Sequence, residues 1–196
     1  MLILDALRST LLASVVFGLV PVLWWGIKGR KKTGFAKSFG LIFPRTDLRS
    51  SAIALTAYCA LWAGTHLPVF TQYTQPSASA YLGLGAPAVI PIVIVSFLQT
   101  GFLEEFLFRG FISKRLVSAF GYKAGIPLQA VIFGGLHLLL ASDVTPVSGA
   151  VIFTTTAAGG FLLGYLAERS FKGSILPGAV LHGLGNLVIN LLQAFS

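Results

Sequence analysis

Six stretches of this chain run almost free of charge, and polar or basic segments separate them. They cover residues 9–27, 51–70, 87–111, 127–140, 148–167 and 174–192. A helix that crosses a bilayer needs about 20 mainly apolar residues, so the pattern predicts an all-α, polytopic transmembrane helical bundle of about six spans, a single membrane domain over 1–196. The run 127–140 is short and contains glycine, a length that also suits a buried or re-entrant helix. The first run lacks an Ala-x-Ala-like cleavage site, and Trp24 and Trp25 precede Lys28 and Arg30 as interfacial anchors do. A retained helix is expected there.

Composition agrees with the pattern. The chain has 196 residues, 55% of them hydrophobic and 10% charged, with a mean hydropathy of +0.84, whereas a soluble domain carries about 25% charged residues. Basic residues add an orientation. Lys28, Arg30, Lys31, Lys32, Lys37, Arg45 and Arg49 follow the first run, within a loop at 28–50. Lys114, Arg115 and Lys123 follow the third, and Arg169 and Lys172 the fifth. Residues 71–86 and 141–147 contain no Lys or Arg. Loops rich in Lys and Arg stay in the cytoplasm, so a multi-pass protein of the cell membrane with both termini outside is expected. Twelve of the fourteen basic residues fall in those inner loops, leaving Arg8 and Arg109. The net charge of +8 is thereby accounted for by orientation and contact with anionic lipid, without nucleic acid. FGLIF, at 39–43, could lie on the inner surface as a short amphipathic piece.

The chemistry is sought among the ionisable groups inside the apolar runs, which are costly there and usually functional. Glu104 and Glu105 stand side by side in FLQTGFLEEFLFRG. Glu105 and Arg109 are four apart with the acid first, the favourable order for a pair on one helix face, so Arg109 is expected to neutralise Glu105 and leave Glu104 pointing into the bundle. His137 lies in the fourth run, and His182 with Asn186, again four apart, in the last, near Gly178, Gly183 and Gly185. Counted along their helices, all three ionisable sites fall in the middle or inner part of the bilayer. A carboxylate there can act as general base toward water. Alternatively, two histidines and a glutamate can hold a divalent metal such as zinc, with Glu104, His137 and His182 as ligands. His182 and Asn186 can donate hydrogen bonds to an oxyanion. Together these point to hydrolysis of an amide. Outside this set the ordinary readings prevail: Cys59 as a small core residue, His66 as an interfacial one, and Asp143, Glu168 and Arg169 as solvated loop charges. Other readings of the same residues are a small proton- or metal-coupled transporter and a non-catalytic immunity or scaffold protein.

Glu104, Glu105 and Arg109 match the EExxxR motif, Phe133 with His137 the FxxxH motif, and His182 with Asn186 the HxxxN motif of the CPBP family of intramembrane proteases. In that order, one per apolar run and within a core of about 87–192, they make the chain resemble this family, which includes type II CAAX prenyl endopeptidases and bacteriocin-immunity-related proteins. The resemblance implies that Glu104 activates water with help from His137, and that His182 and Asn186 line the oxyanion site. Glu105 and Arg109 then support the centre. It implies a membrane-associated protein or peptide as substrate, prenylated in some members, and either a bound metal or a metal-free glutamate mechanism.

Overall fold

The computed structural model describes residues 2–44, 48–65, 79–142 and 144–196, and every regular element among them is helical. The residues expected to be an interfacial histidine and a solvated outer charge, His66 and Asp143, lie outside the described residues. We label the helices in chain order: α1, Leu2–Trp24, widening into a π-helical turn over Trp25–Gly29; α2, Phe35–Ser38; α3, Leu48–Thr65; α4, Ala86–Phe120; α5, Tyr122–Leu140; α6, Pro146–Tyr165, continued by a π-helical turn over Leu166–Ser170; and α7, Leu176–Ala194.

The six expected apolar runs thus correspond to α1, α3, α4, α5, α6 and α7. Four of them, Leu2–Gly29, Ala86–Phe120, Tyr122–Leu140 and Pro146–Ser170, are long and apolar enough to cross a membrane. Within α3 the apolar part is shorter, Ser51–Gly64, and the apolar surface of α7 is interrupted by its His and two Asn residues. The outward Leu and Val side chains of α1, with Leu11 69% and Leu12 67% exposed, suit contact with lipid rather than water. The protein is a multi-pass α-helical membrane protein.

Several boundaries differ from the sequence reading. The fourth run begins at Tyr122, five residues before Pro127, because a proline near the start of a helix leaves only one main-chain bond unmade. Lys114 and Arg115 belong to the end of α4, and only Gly121, at φ +76, separates that helix from α5. The basic segment expected as a loop is thus helix almost throughout. Cys59 is exposed rather than in the core.

The described chain forms two compact units. One draws on 2–44, 79–111 and 174–196. Here α7 and α1 both pack on the first half of α4. Phe39, Phe106 and Ile175 form a buried cluster with Trp25, Phe35, Leu41 and Phe111 around it. Phe39 is fully buried while Phe43 is 92% exposed, so FGLIF is a surface piece only at its end: the main chain of Gly40 and Ile42 accepts from Ile175 N and Ser174 Oγ at 3.0 and 2.6 Å, tying this segment to the start of α7. At the other end of α7, Gly83 N and Gly85 N donate to Gln193 O and Ala194 O at 3.1 and 2.7 Å, satisfying carbonyls that a helix end leaves open. Both glycines have positive φ, +69 and +59, which side chains rarely tolerate.

The other unit draws on 48–65 and 112–173. In it α5 and α6 pair closely through Gly134 and Gly160, whose hydrogens face Phe153, Ala157 and Phe133, and α3 packs on α6. Thr145 caps α6 in a reciprocal box with Ser148. Glu168 and Arg169 are not simply solvated: Lys114 Nζ reaches Glu168 at 3.2 Å, and the Arg169 guanidinium stands 4.3 Å above the Tyr122 ring.

Candidate active site

The acidic pair sits where α4 changes its hydrogen-bonding pattern. Val95–Glu104 and Phe106–Ser113 are both π-helical, a wider winding that is uncommon and concentrates at functional sites. Glu105 lies at the junction and is fully buried, as is Arg109. Arg109 Nη1 donates to Glu105 Oε1 at 2.6 Å, the pairing that their spacing predicts.

Glu105 has a second role that the spacing does not reveal. His182 Nδ1 lies 3.1 Å from the same Oε1 atom. A carboxylate oxygen accepts, so the proton is on Nδ1, and Glu105 fixes the orientation of the imidazole as carboxylates do for functional histidines. The other ring nitrogen, Nε2, then stands 4.0 Å from Glu104 Oε2, beyond hydrogen-bonding range. Glu104 Oε2 is shielded from solvent and makes no hydrogen bond to a described residue. Glu104 Oε2 and His182 Nε2 thus face each other with no direct hydrogen bond between them.

From this point a line of polar contacts runs between α4 and α7. Asn186 Nδ2 donates to Thr100 Oγ1 at 3.1 Å and to His182 O at 3.3 Å. Asn190 Nδ2 donates to Ser96 Oγ at 3.2 Å. Ser96, Thr100 and Glu104 are spaced by four on one helix, and Asn190, Asn186 and His182 by four in the opposite direction on the other. Two hydrogen-bonded rungs, followed by the facing pair Glu104 and His182, therefore line two antiparallel helices over roughly 12 Å of α7 at 1.5 Å per residue. Glycine makes the approach possible. A Cβ on Gly101 would lie 2.7 Å from Ala179 O and 3.0 Å from Gly183 Cα, and one on Gly183 2.6 Å from the Phe97 ring.

His137 belongs to the second unit. Its Nδ1 lies 2.9 Å from Phe133 O, one turn back. Because a carbonyl can only accept, Nδ1 carries a proton, and in the neutral ring Nε2 then holds the lone pair that a base requires. The Phe133 ring packs against the imidazole at a 52° tilt, with ring centroids 4.4 Å apart, so the FxxxH pair is a local device: one residue supplies both the carbonyl and the ring that set the histidine.

Of the residues expected to act together, Glu104, Glu105, Arg109, His182 and Asn186 assemble within the first unit. Thr100, Ser96 and Asn190 escaped the sequence reading, although the shared spacing of four was a usable signal. For a metal, Glu104 and His182 offer one oxygen and one nitrogen, while Nδ1 of His182 and Oε1 of Glu105 are engaged with each other. Among the described residues no three His, Cys, Asp or Glu side chains gather closely enough to hold an ion, whereas a catalytic zinc takes three protein ligands. Within the first unit the donor set falls short of that number, and no step below passes through a metal.

An α-helical membrane protein with a carboxylate–imidazole centre inside its apolar layer is the class that fold and site define. Residues 85–188 match the model of the family described as type II CAAX prenyl endopeptidase Rce1-like. The match spans over half of the chain and includes every motif residue, and the chain belongs to that family. No curated protein and no solved structure matches it.

Proposed function

We propose that this protein is an intramembrane endopeptidase that hydrolyses a peptide bond of a membrane-associated protein or peptide. The observation that carries this reading is Glu104: a shielded carboxylate oxygen facing His182 Nε2 across 4.0 Å, beside a second glutamate already matched to Arg109. Membership of a CAAX prenyl endopeptidase family supports substrates presented from the bilayer surface, with a prenylated C-terminal segment as the class to test first.

In this mechanism Glu104 removes a proton from water while the water oxygen bonds to the scissile carbonyl carbon. The carbonyl π electrons move onto oxygen, and the oxyanion is held by the Asn186 amide N–H and, when the ring is protonated, by His182 Nε2–H. When the C–N bond breaks, the proton held by Glu104 passes to the leaving amine. The family resemblance gives His137 an assisting role, which its Nε2 can fill as a hydrogen-bond acceptor. Glu105 and Arg109 hold His182 in place. The exposed Lys28, Arg30, Lys31 and Lys32 beside Trp24 and Trp25 bind anionic headgroups.

The test is cleavage of a library of membrane peptides, prenylated and not, by purified protein and by its Glu104→Gln variant, each with and without chelator. The proposal expects cleavage by the wild type, unaffected by chelator, and a loss of about 10²–10⁴-fold in the variant, whose amide cannot take the proton. Equal cleavage by both proteins would remove Glu104 from the reaction. Chelator-sensitive cleavage would restore the metal mechanism.

A further inference from the structure

The HxxxN residue Asn186 can meet a substrate with either end of its amide, the NH2 that donates or the oxygen that accepts, and only one suits a developing oxyanion. We infer that Thr100 decides which, as a positioning residue for the proposed hydrolysis, and the inference rests on that reading of the site.

The reasoning starts from the Thr100 hydroxyl, which has one proton. Its oxygen lies 2.9 Å from Ser96 O and 3.4 Å from Val95 O, and carbonyl oxygens can only accept. The proton is therefore committed to its own helix. Toward α7, Thr100 Oγ1 can only accept, and it accepts from Asn186 at 3.1 Å. An Asn186 turned by 180° would set oxygen against oxygen, so the hydroxyl selects the NH2 end. The first amide proton is held by Thr100. The second rests on His182 O at 3.3 Å, a longer contact to a carbonyl already placed to serve the helix ladder. That second proton is the exchangeable one: an oxyanion takes it with little loss, while the Thr100 bond holds the amide still. The adjoining rung, Asn190 to Ser96 at 3.2 Å, keeps α4 and α7 in the register that this requires.

Thr100→Val keeps the shape and removes the acceptor, whereas Thr100→Ser keeps it. Thr100→Val is expected to lower kcat about tenfold with KM unchanged, less than the 10²–10³ that follows outright deletion of an oxyanion donor. Thr100→Ser is expected to restore the wild-type rate. Because Thr100 acts through Asn186, adding Thr100→Val to Asn186→Ala should cost nothing further. Wild-type kcat in Thr100→Val, or full additivity in the double variant, would overturn the assignment. A second measurement needs no catalysis. Asn186 and Asn190 are the only asparagines in the chain, so selective ¹⁵N-asparagine labelling in micelles gives two side-chain amide groups. Asn186 should show one slowly exchanging proton in the wild type and in Thr100→Ser, and none in Thr100→Val. Fast exchange of both protons in the wild type would refute the bond itself. A wild type that cleaves nothing while that proton stays protected would overturn the protease reading, and Thr100's part in catalysis with it, but leave the bond standing.

Discussion

Arg109 illustrates why a buried charge in this protein cannot be changed alone. It is fully buried against a fully buried Glu105 at 2.6 Å, so Arg109→Met leaves a carboxylate without its main compensation in a low-dielectric setting. Breaking such a pair from one side costs about 3–5 kcal/mol. We expect that loss in unfolding titrations with a denaturing detergent, and partial recovery when Glu105→Gln is added, since the orphaned charge is then gone. A double variant no more stable than Arg109→Met would show that Glu105 is not what Arg109 compensates. The Glu105–Arg109 pair was legible in the sequence because helical spacing alone places the two side chains together. The bond from Glu105 to His182 was not, because it joins positions 77 apart and depends on which helices pack together. Thr100 and Ser96 were harder to single out, despite their spacing, for another reason: hydroxyls in apolar helices commonly bond their own main chain, as Thr155 and Thr156 do here.

At the scale of helices, the centre depends on how closely α4 and α7 approach, and two glycines set that distance in unequal ways. A methyl group at Gly101 meets main-chain atoms of the facing helix at 2.7 and 3.0 Å, which cannot turn aside, whereas one at Gly183 meets chiefly the ring of Phe97 at 2.6 Å, which can. Overpacking costs about 1–3 kcal/mol. Gly101→Ala is therefore expected to separate the helices, lose both stability and cleavage, and be the more severe of the two. Gly183→Ala should retain a measurable rate. The opposite ranking, read from melting in detergent and initial rates, would mean that the Phe97 side is the rigid one. All six apolar helices were foreseen from hydropathy, but their ends were not. Apolar runs mark what lies in lipid, while α4 continues past its last apolar stretch through Lys114 and Arg115 until Gly121 turns the chain. The burial of Phe39 and Gly40 was likewise hidden, since a short apolar stretch looks the same on a bilayer surface and inside a protein.

For the whole molecule, charge bias sets the expected topology: the segment after α1 inside, both termini outside. Cys59 is the only cysteine, so Cys59→Ser gives a thiol-free background. On intact cells a membrane-impermeant thiol reagent should label Ser196→Cys and spare Lys32→Cys, and the reverse pattern would invert the topology. The order of synthesis imposes a further condition. Glu105 and the histidine that it orients are separated by 77 residues of chain, which a ribosome takes roughly 4–15 s to make at 5–20 residues per second. During that interval the nascent protein carries its acidic pair into the bilayer with Arg109 but without the imidazole. On the proposed function, a chain at that stage has no means of cutting its neighbours at the site of insertion, and competence waits until α7 has been delivered.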